Sequence, residues 1–159
     1  MDKATATIVS GFFSPLHAGH LDMIEAAAEL GDKLIVIVNN NDQQVAKKGK
    51  LIMDEQIRLR IIRALRVVDE ALIAVDEDRT VSASLKLVAE KYGDEYRLVF
   101  ANGGDRASGK VVPETSVCEE HGIEMVFGVG GNEKVDSSTR INLLLGVETE
   151  PSASPSETT

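Results

Sequence analysis

Ile8-Val9-Ser10-Gly11-Phe12-Phe13-Ser14-Pro15-Leu16-His17-Ala18-Gly19-His20 decides how the rest of the chain is read. It runs from a short apolar strand through a glycine-containing turn into the start of a helix. Two histidines three residues apart share one face of that helix, so both imidazoles can address one ligand. A helix N-terminus also presents unpaired N–H groups and a partial positive charge, which suits an anion. Gly19 between them lets a phosphate approach the backbone without meeting a side chain. A metal is the weaker reading, because no third ligand lies nearby in sequence, and no residue is assigned to one.

Working outward, a helix is expected from about Ala18 to Leu30, with Leu21, Ile24, Ala27 and Ala28 on its apolar side and Gly31 ending it. Leu34-Ile35-Val36-Ile37-Val38 is a continuous apolar run, the pattern of a parallel strand covered on both faces. Strand, helix, strand makes a right-handed βαβ unit. Asn39 to Asp42 reads as a polar turn, and Lys47-Lys48-Gly49-Lys50 as a basic loop. A helix over about 54–66 follows, with Asp54 as its N-cap. Its apolar side would hold Ile57, Ile61, Ile62 and Leu65, with Arg58, Arg60, Arg63 and Arg66 elsewhere. Further strands are expected at 71–75, 98–101 and 123–127, with helices over 81–92, from Pro113 to Gly122, and after Ser137-Ser138-Thr139. Asn102-Gly103-Gly104-Asp105-Arg106 lies where the fourth strand ends. Ligands of open α/β sheets bind beyond the carboxyl ends of the strands, so this loop belongs with the histidines.

The 159 residues suffice for one core, assigned to residues 1–147; residues 148–159 lack any apolar pattern and read as a disordered tail. Net charge is −9, and without the three tail acids Glu148, Glu150 and Glu157 the body keeps −6. That balance argues against nucleic-acid binding and makes the local basic residues Lys47, Lys48, Arg58 and Arg106 informative. No apolar run reaches membrane-span length and no secretory pattern opens the chain. A single cysteine, Cys118, excludes an intrachain disulfide and fits a reducing cytoplasm, where the protein is expected.

Gly-Phe-Phe-Ser-Pro-Leu-His-Ala-Gly-His resembles the His-x-Gly-His signature of the nucleotidyltransferase superfamily, in particular its small cytidylyltransferase-like members. The likeness continues through Leu-Gly-Asp-Lys-Leu-Ile-Val-Ile-Val, the lysines Lys47 and Lys48, and Arg58 eleven residues before Asp69. It extends to Asn-Gly-Gly-Asp-Arg and to Ser137-Ser138-Thr139-Arg140-Ile141, covering roughly residues 5–145 in the family's order. Three positions depart from the pattern: Ser14 replaces the usual aspartate, Asp136 precedes Ser137 where isoleucine is common, and Asn142 stands where a basic residue often follows.

The resemblance implies an α/β fold, a single Rossmann-like, doubly wound domain with a five-stranded parallel sheet. It implies an enzyme that transfers a nucleoside monophosphate from a triphosphate to a small phosphate-bearing acceptor, a sugar or polyol phosphate, releasing pyrophosphate. CTP is the favoured donor, by likeness to glycerol-3-phosphate cytidylyltransferase. ATP is the alternative, by likeness to heptose 1-phosphate adenylyltransferase, and a non-catalytic nucleotide-binding module is the more distant one. His17, His20, Lys48 and Arg58 are then the catalytic candidates. Gly11, Phe12, Phe13, Gly19, Lys47, Asn102, Gly103, Gly104, Asp105, Arg106, Ser137, Ser138 and Thr139 are the nucleotide-binding candidates. Mg²⁺ would bridge the phosphates through their own oxygens. A homodimer is also implied by the resemblance. Cys118 and His121 are assigned to structure.

Overall fold

The computed structural model describes residues 3–103, 112–129 and 138–146. In chain order these form β1 (Ala4–Gly11), α1 (Ala18–Glu29), β2 (Lys33–Val38), α2 (Asn41–Lys48), α3 (Glu55–Arg63), β3 (Glu70–Ile73), α4 (Ser82–Tyr92), β4 (Tyr96–Gly103), α5 (Thr115–His121), β5 (Glu124–Val129) and α6 (Ser138–Leu145). The five strands make one parallel sheet in the order β3-β2-β1-β4-β5. This is the expected doubly wound architecture. The strand order reverses between β1 and β4, which makes the crevice beyond their C-terminal ends the place where such sheets hold ligands.

Alternation along the strands explains the two-sided core. Ala6 and Ile8 of β1 and Ile35 and Ile37 of β2 pack on one face with Leu85 and Val88 of α4 and Cys118 of α5. Val9, Val36 and Val38 pack on the other with Ile24 and Ala27 of α1 and Leu59 and Ile62 of α3. The Cys118 thiol is buried and its pKa is pushed up to about 11, first by that burial and then by Glu114. β3 is an edge strand, and Arg63 covers part of it by donating to the Ala71 carbonyl at 3.3 Å.

Two expectations fail here. Residues 41–48 are helical, not a turn and a loop. Asn40 caps α2 by accepting from Gln43 N at 2.9 Å, while Gln43 Oε1 accepts from Asn40 N at 3.0 Å. Gly49 closes the other end at φ +84°, a conformation that favours glycine. On α3 the buried side is Arg58, Leu59 and Ile62, and Ile57 is 55% exposed. The arginine has displaced the isoleucine because its donors reach partners inside, described next.

Candidate active site

The β1–α1 connection places the two histidines. Phe13 sits at φ +53°, a strained conformation for a non-glycine residue, and its ring folds back over Gly11. A Cβ at Gly11 would lie 2.8 Å from that ring, so position 11 must be glycine for Phe13 to cover it. His20 meets the same ring edge-on, with centroids 5.0 Å apart. His17 is the N-cap of α1. Its Nδ1 accepts from Gly19 N at 3.1 Å, and His20 Nδ1 accepts from His17 N at 3.2 Å. The two imidazoles stack with centroids 3.8 Å apart.

These two capping bonds fix the chemistry of the pair. An Nδ1 that accepts a hydrogen bond carries no proton, so each neutral ring holds its proton on Nε2. The pKa of His20 is lowered to about 3, first by burial, then by the neighbouring His17 and by Lys48. His20 is therefore a neutral N–H donor near pH 7, without charge repulsion against its partner. The influence of Lys48 on His20 also places the end of α2 beside the start of α1. Lys47 reinforces that placement, its ammonium lying 4.9 Å from the Phe12 ring centroid. Histidines and lysines that are separate in sequence thus converge beyond the C-terminal ends of β1 and β2.

Arg58 is placed beneath this surface. It is fully buried, and its donors are committed to protein oxygens. Nε donates to Met53 O at 2.8 Å, Nη1 to Phe12 O at 3.1 Å and to Asn39 O at 2.5 Å, and Nη2 to Asn41 Oδ1 at 3.2 Å. The guanidinium therefore joins the β1–α1 turn, the end of β2, the start of α2 and the segment before α3. Burial lowers its pKa, while Glu55 and Asp54 raise it.

At the other side of the switch point, Asn102 is buried at the end of β4 and Gly103 is the last residue of that strand. Gly104, Asp105, Arg106 and Ser137 lie outside the described residues, and Ser138 and Thr139 are described only as the first residues of α6. Two of the departures from the sequence pattern meet: buried Asn142 of α6 donates to the carbonyl of buried Ser14 at 2.9 Å, while Asp136 lies outside the described residues. Nothing in the sequence pairs residues so far apart. The buried amides Gln43 and Gln44 of α2 were also missed, although Asn40-x-x-Gln43 before a helix and Gly49 after it are capping signals.

Two grooves lie away from these residues. One, of about 540 Å³, is lined by Arg63, Glu70, Leu87 and Lys91 beside the β3 edge. The other, of about 660 Å³, is lined by Lys3, Arg97 and His121 at the opposite end of the sheet. There Lys3 donates to Gly93 O at 3.1 Å, and His121 occupies the last turn of α5. Lys3, at the C-terminus of α4, offsets the negative end of that helix dipole, which accounts for it without a ligand.

Residues 8–141 match the family model described as Cytidylyltransferase-like, and the chain belongs to that family. An FAD synthase of Ferroglobus placidus is 44% identical over 78 residues, 49% of this chain and 49% of that protein. The Bifunctional protein HldE of Streptomyces coelicolor is 35% identical over 128 residues, 79% of this chain but 26% of that protein. The chain thus matches about half, or less, of the length of these curated relatives. Among solved structures, a lipopolysaccharide core biosynthesis protein of Thermoplasma volcanium is 26% identical, with a TM-score of 0.60 over 84% of this chain and 99% of that one. A bifunctional NMN adenylyltransferase/ADP ribose pyrophosphatase of Francisella tularensis shares the fold at 13% identity, with a TM-score of 0.62 over 89% of this chain and 41% of that one.

Proposed function

We propose that this member of the cytidylyltransferase-like family is a nucleotidyltransferase that joins a nucleoside monophosphate to a phosphate-bearing small molecule. The observation that carries the reading is the stacked pair His17 and His20, fixed as Nε2–H donors at a helix start beside Lys47 and Lys48. An oxygen of the acceptor phosphate attacks the α-phosphorus, the bond to the bridging oxygen breaks, and pyrophosphate leaves with that oxygen and its electrons. The nucleophile is already an anion, so no general base is needed; catalysis is alignment and charge stabilisation.

His17 and His20 donate to the α- and β-phosphates as charge builds. Lys48, with Lys47, neutralises the departing pyrophosphate. The N-terminus of α6, with Ser137, Ser138 and Thr139, takes the β/γ end. Asn102, Gly103, Gly104, Asp105 and Arg106 are assigned to the base and ribose. Mg²⁺ would be held by the triphosphate rather than by side chains of this site, and would supply neutralisation of phosphate charge. The chemistry of the donor set supports this, because Mg²⁺ prefers carboxylate, carbonyl and water oxygens over the imidazole and ammonium groups gathered here. In this reading Arg58 is a strut beneath the site, because its donors are spent on protein oxygens.

ATP is the donor favoured by the likeness to FAD synthases, whose product carries an adenylate half; CTP is kept as the second reading on the strength of the sequence signature. The test is to incubate the protein and Mg²⁺ with each of the four triphosphates and a library of phosphate esters, including sugar phosphates, glycerol phosphate and flavin mononucleotide. Pyrophosphate is followed, with His20→Ala as control. Release that needs one triphosphate and one ester, and is lost in the control, is the expected outcome. Binding without release across the library would favour a non-catalytic module. Self-association as a dimer, also part of the proposal, is read by sedimentation.

A further inference from the structure

We infer that Gln44 is a positioning residue that holds the lysine-bearing end of α2 over the phosphate site. The inference rests on the function proposed above for Lys48, and Gln44 itself is placed by packing and hydrogen bonds.

Gln44 lies one helical turn before Lys48 on α2 and is fully buried. A buried primary amide in a short helix is costly unless its polar atoms find partners. Here they find the backbone of one downstream segment. Oε1 accepts from Ile52 N at 3.1 Å and from Met53 N at 3.2 Å, and Nε2 donates to Met53 O at 2.8 Å. The chain leaves α2 at Lys48, reverses at Gly49, and returns to the residue four before Lys48. The last turn of α2 is thereby closed into a loop whose two ends meet at one side chain.

Several other anchors of α2 act on its first turn, while Lys47 reaches the Phe12 ring from the last. Asn40 donates to Ala74 O at 3.1 Å and Asp76 O at 2.9 Å. Gln43 donates to Asp78 O at 2.7 Å and Thr80 O at 2.8 Å. Arg58 grips the start of the helix at Asn41 and shares the Met53 carbonyl with Gln44. Gln44 is thus a buried side chain through which this frame reaches the turn that carries Lys47 and Lys48. Helix ends fray when only their own backbone bonds hold them. Without the amide, the lysines keep their charge but lose one of the bonds that hold their helical turn in place.

The prediction is a selective loss at the β/γ end of the nucleotide. Affinities for ATP and AMP, and for CTP and CMP, are measured with Mg²⁺ on the full chain by calorimetry, well below each variant's unfolding temperature. Gln44→Leu, which keeps volume and removes the bonds, should weaken the tighter-binding triphosphate about five-fold or more and its monophosphate less than about two-fold. In the Lys48→Ala background the same change should weaken triphosphate binding little further, because the two residues act in series. A purely structural role would lower the unfolding temperature and leave the triphosphate-to-monophosphate ratio alone; that result, or full additivity with Lys48→Ala, overturns the inference. If Gln44→Leu does not fold, Gln44→Glu, which keeps the acceptor and removes the donor to Met53 O, must show the same selective loss. Normal affinity in Lys48→Ala would overturn the function proposed above and this inference with it. Weak binding in Lys48→Ala with normal binding in Gln44→Leu would overturn this inference alone.

Discussion

Arg58→Met separates a strut from a phosphate ligand. The side chain is fully buried and donates to three backbone carbonyls, of Phe12, Asn39 and Met53, and to the Asn41 side chain. Methionine fills much of the volume and supplies no donor. Met53 O keeps the Gln44 amide and Asn41 Oδ1 keeps the Glu55 N–H, so the carbonyls of Phe12 and Asn39 are the ones that lose their donor, at about 1–3 kcal/mol each. Against this, the cation no longer has to be desolvated, a burden visible in its lowered pKa. The balance is a loss of about 3–5 kcal/mol, the range found when one partner of a buried charged network is removed. Domains of this kind are stable by only about 5–15 kcal/mol, so the loss is a large fraction of the whole. Arg58→Lys keeps the charge but not the planar fork, and should lose about half as much. Urea unfolding followed by circular dichroism, with unchanged m-value, reads the difference as a shift in midpoint. Nucleotide affinity is measured in parallel at a temperature where the variants are folded. Arg58→Met within about 1 kcal/mol of the parent, with triphosphate binding abolished, would refute the strut and return Arg58 to the phosphates.

Three other outcomes are expected. His20→Ala should lower turnover by about 10²–10³-fold, the cost of one lost transition-state donor, with little change in unfolding midpoint; near-normal turnover would sink the proposed mechanism. His20 binds its proton at about pH 3 in the folded chain and near its ordinary 6.5 when unfolded, so the unfolded state holds more protons between those values. Stability should therefore fall as pH drops below 6.5, by up to about 1.4 kcal/mol per unit, and His20→Asn should flatten that slope in pH-dependent urea titrations. Asn142→Leu removes the donor to Ser14 O and should cost about 1–2 kcal/mol, read by thermal unfolding; an unchanged midpoint would mean water replaces it.

The sheet was legible because its strands announce themselves. Leu34 to Val38 is apolar throughout and proved to be a central strand buried on both faces. The histidine pair was legible because its residues are close in sequence and their spacing alone puts them on one face. What escaped was set by partners far away in the chain. Arg58 reads as a surface cation on an amphipathic helix, since nothing local tells that the carbonyls of Phe12 and Asn39, 46 and 19 positions away, will meet it inside. Residues 41–48 look like a polar loop because their buried side consists of glutamines, whose cost is met by carbonyls 9 to 37 positions on. Hydrophobic periodicity is blind to a helix held by amides. The tautomers of His17 and His20 follow from backbone contacts and became readable only with the fold.

The bond from Asn142 to Ser14 spans 128 positions, from the turn after the first strand to α6. During synthesis a chain emerges from its N-terminus and packs as it emerges. The strands and their covering helices through residue 129 can associate before α6 exists. The segment bearing both histidines, however, waits for its last support until residue 142 has cleared the ribosome. On the proposed function, competence to hold a triphosphate is thus timed to near the end of translation of this stretch, and a nascent chain stalled before α6 would carry the sheet while leaving its first turn unfastened.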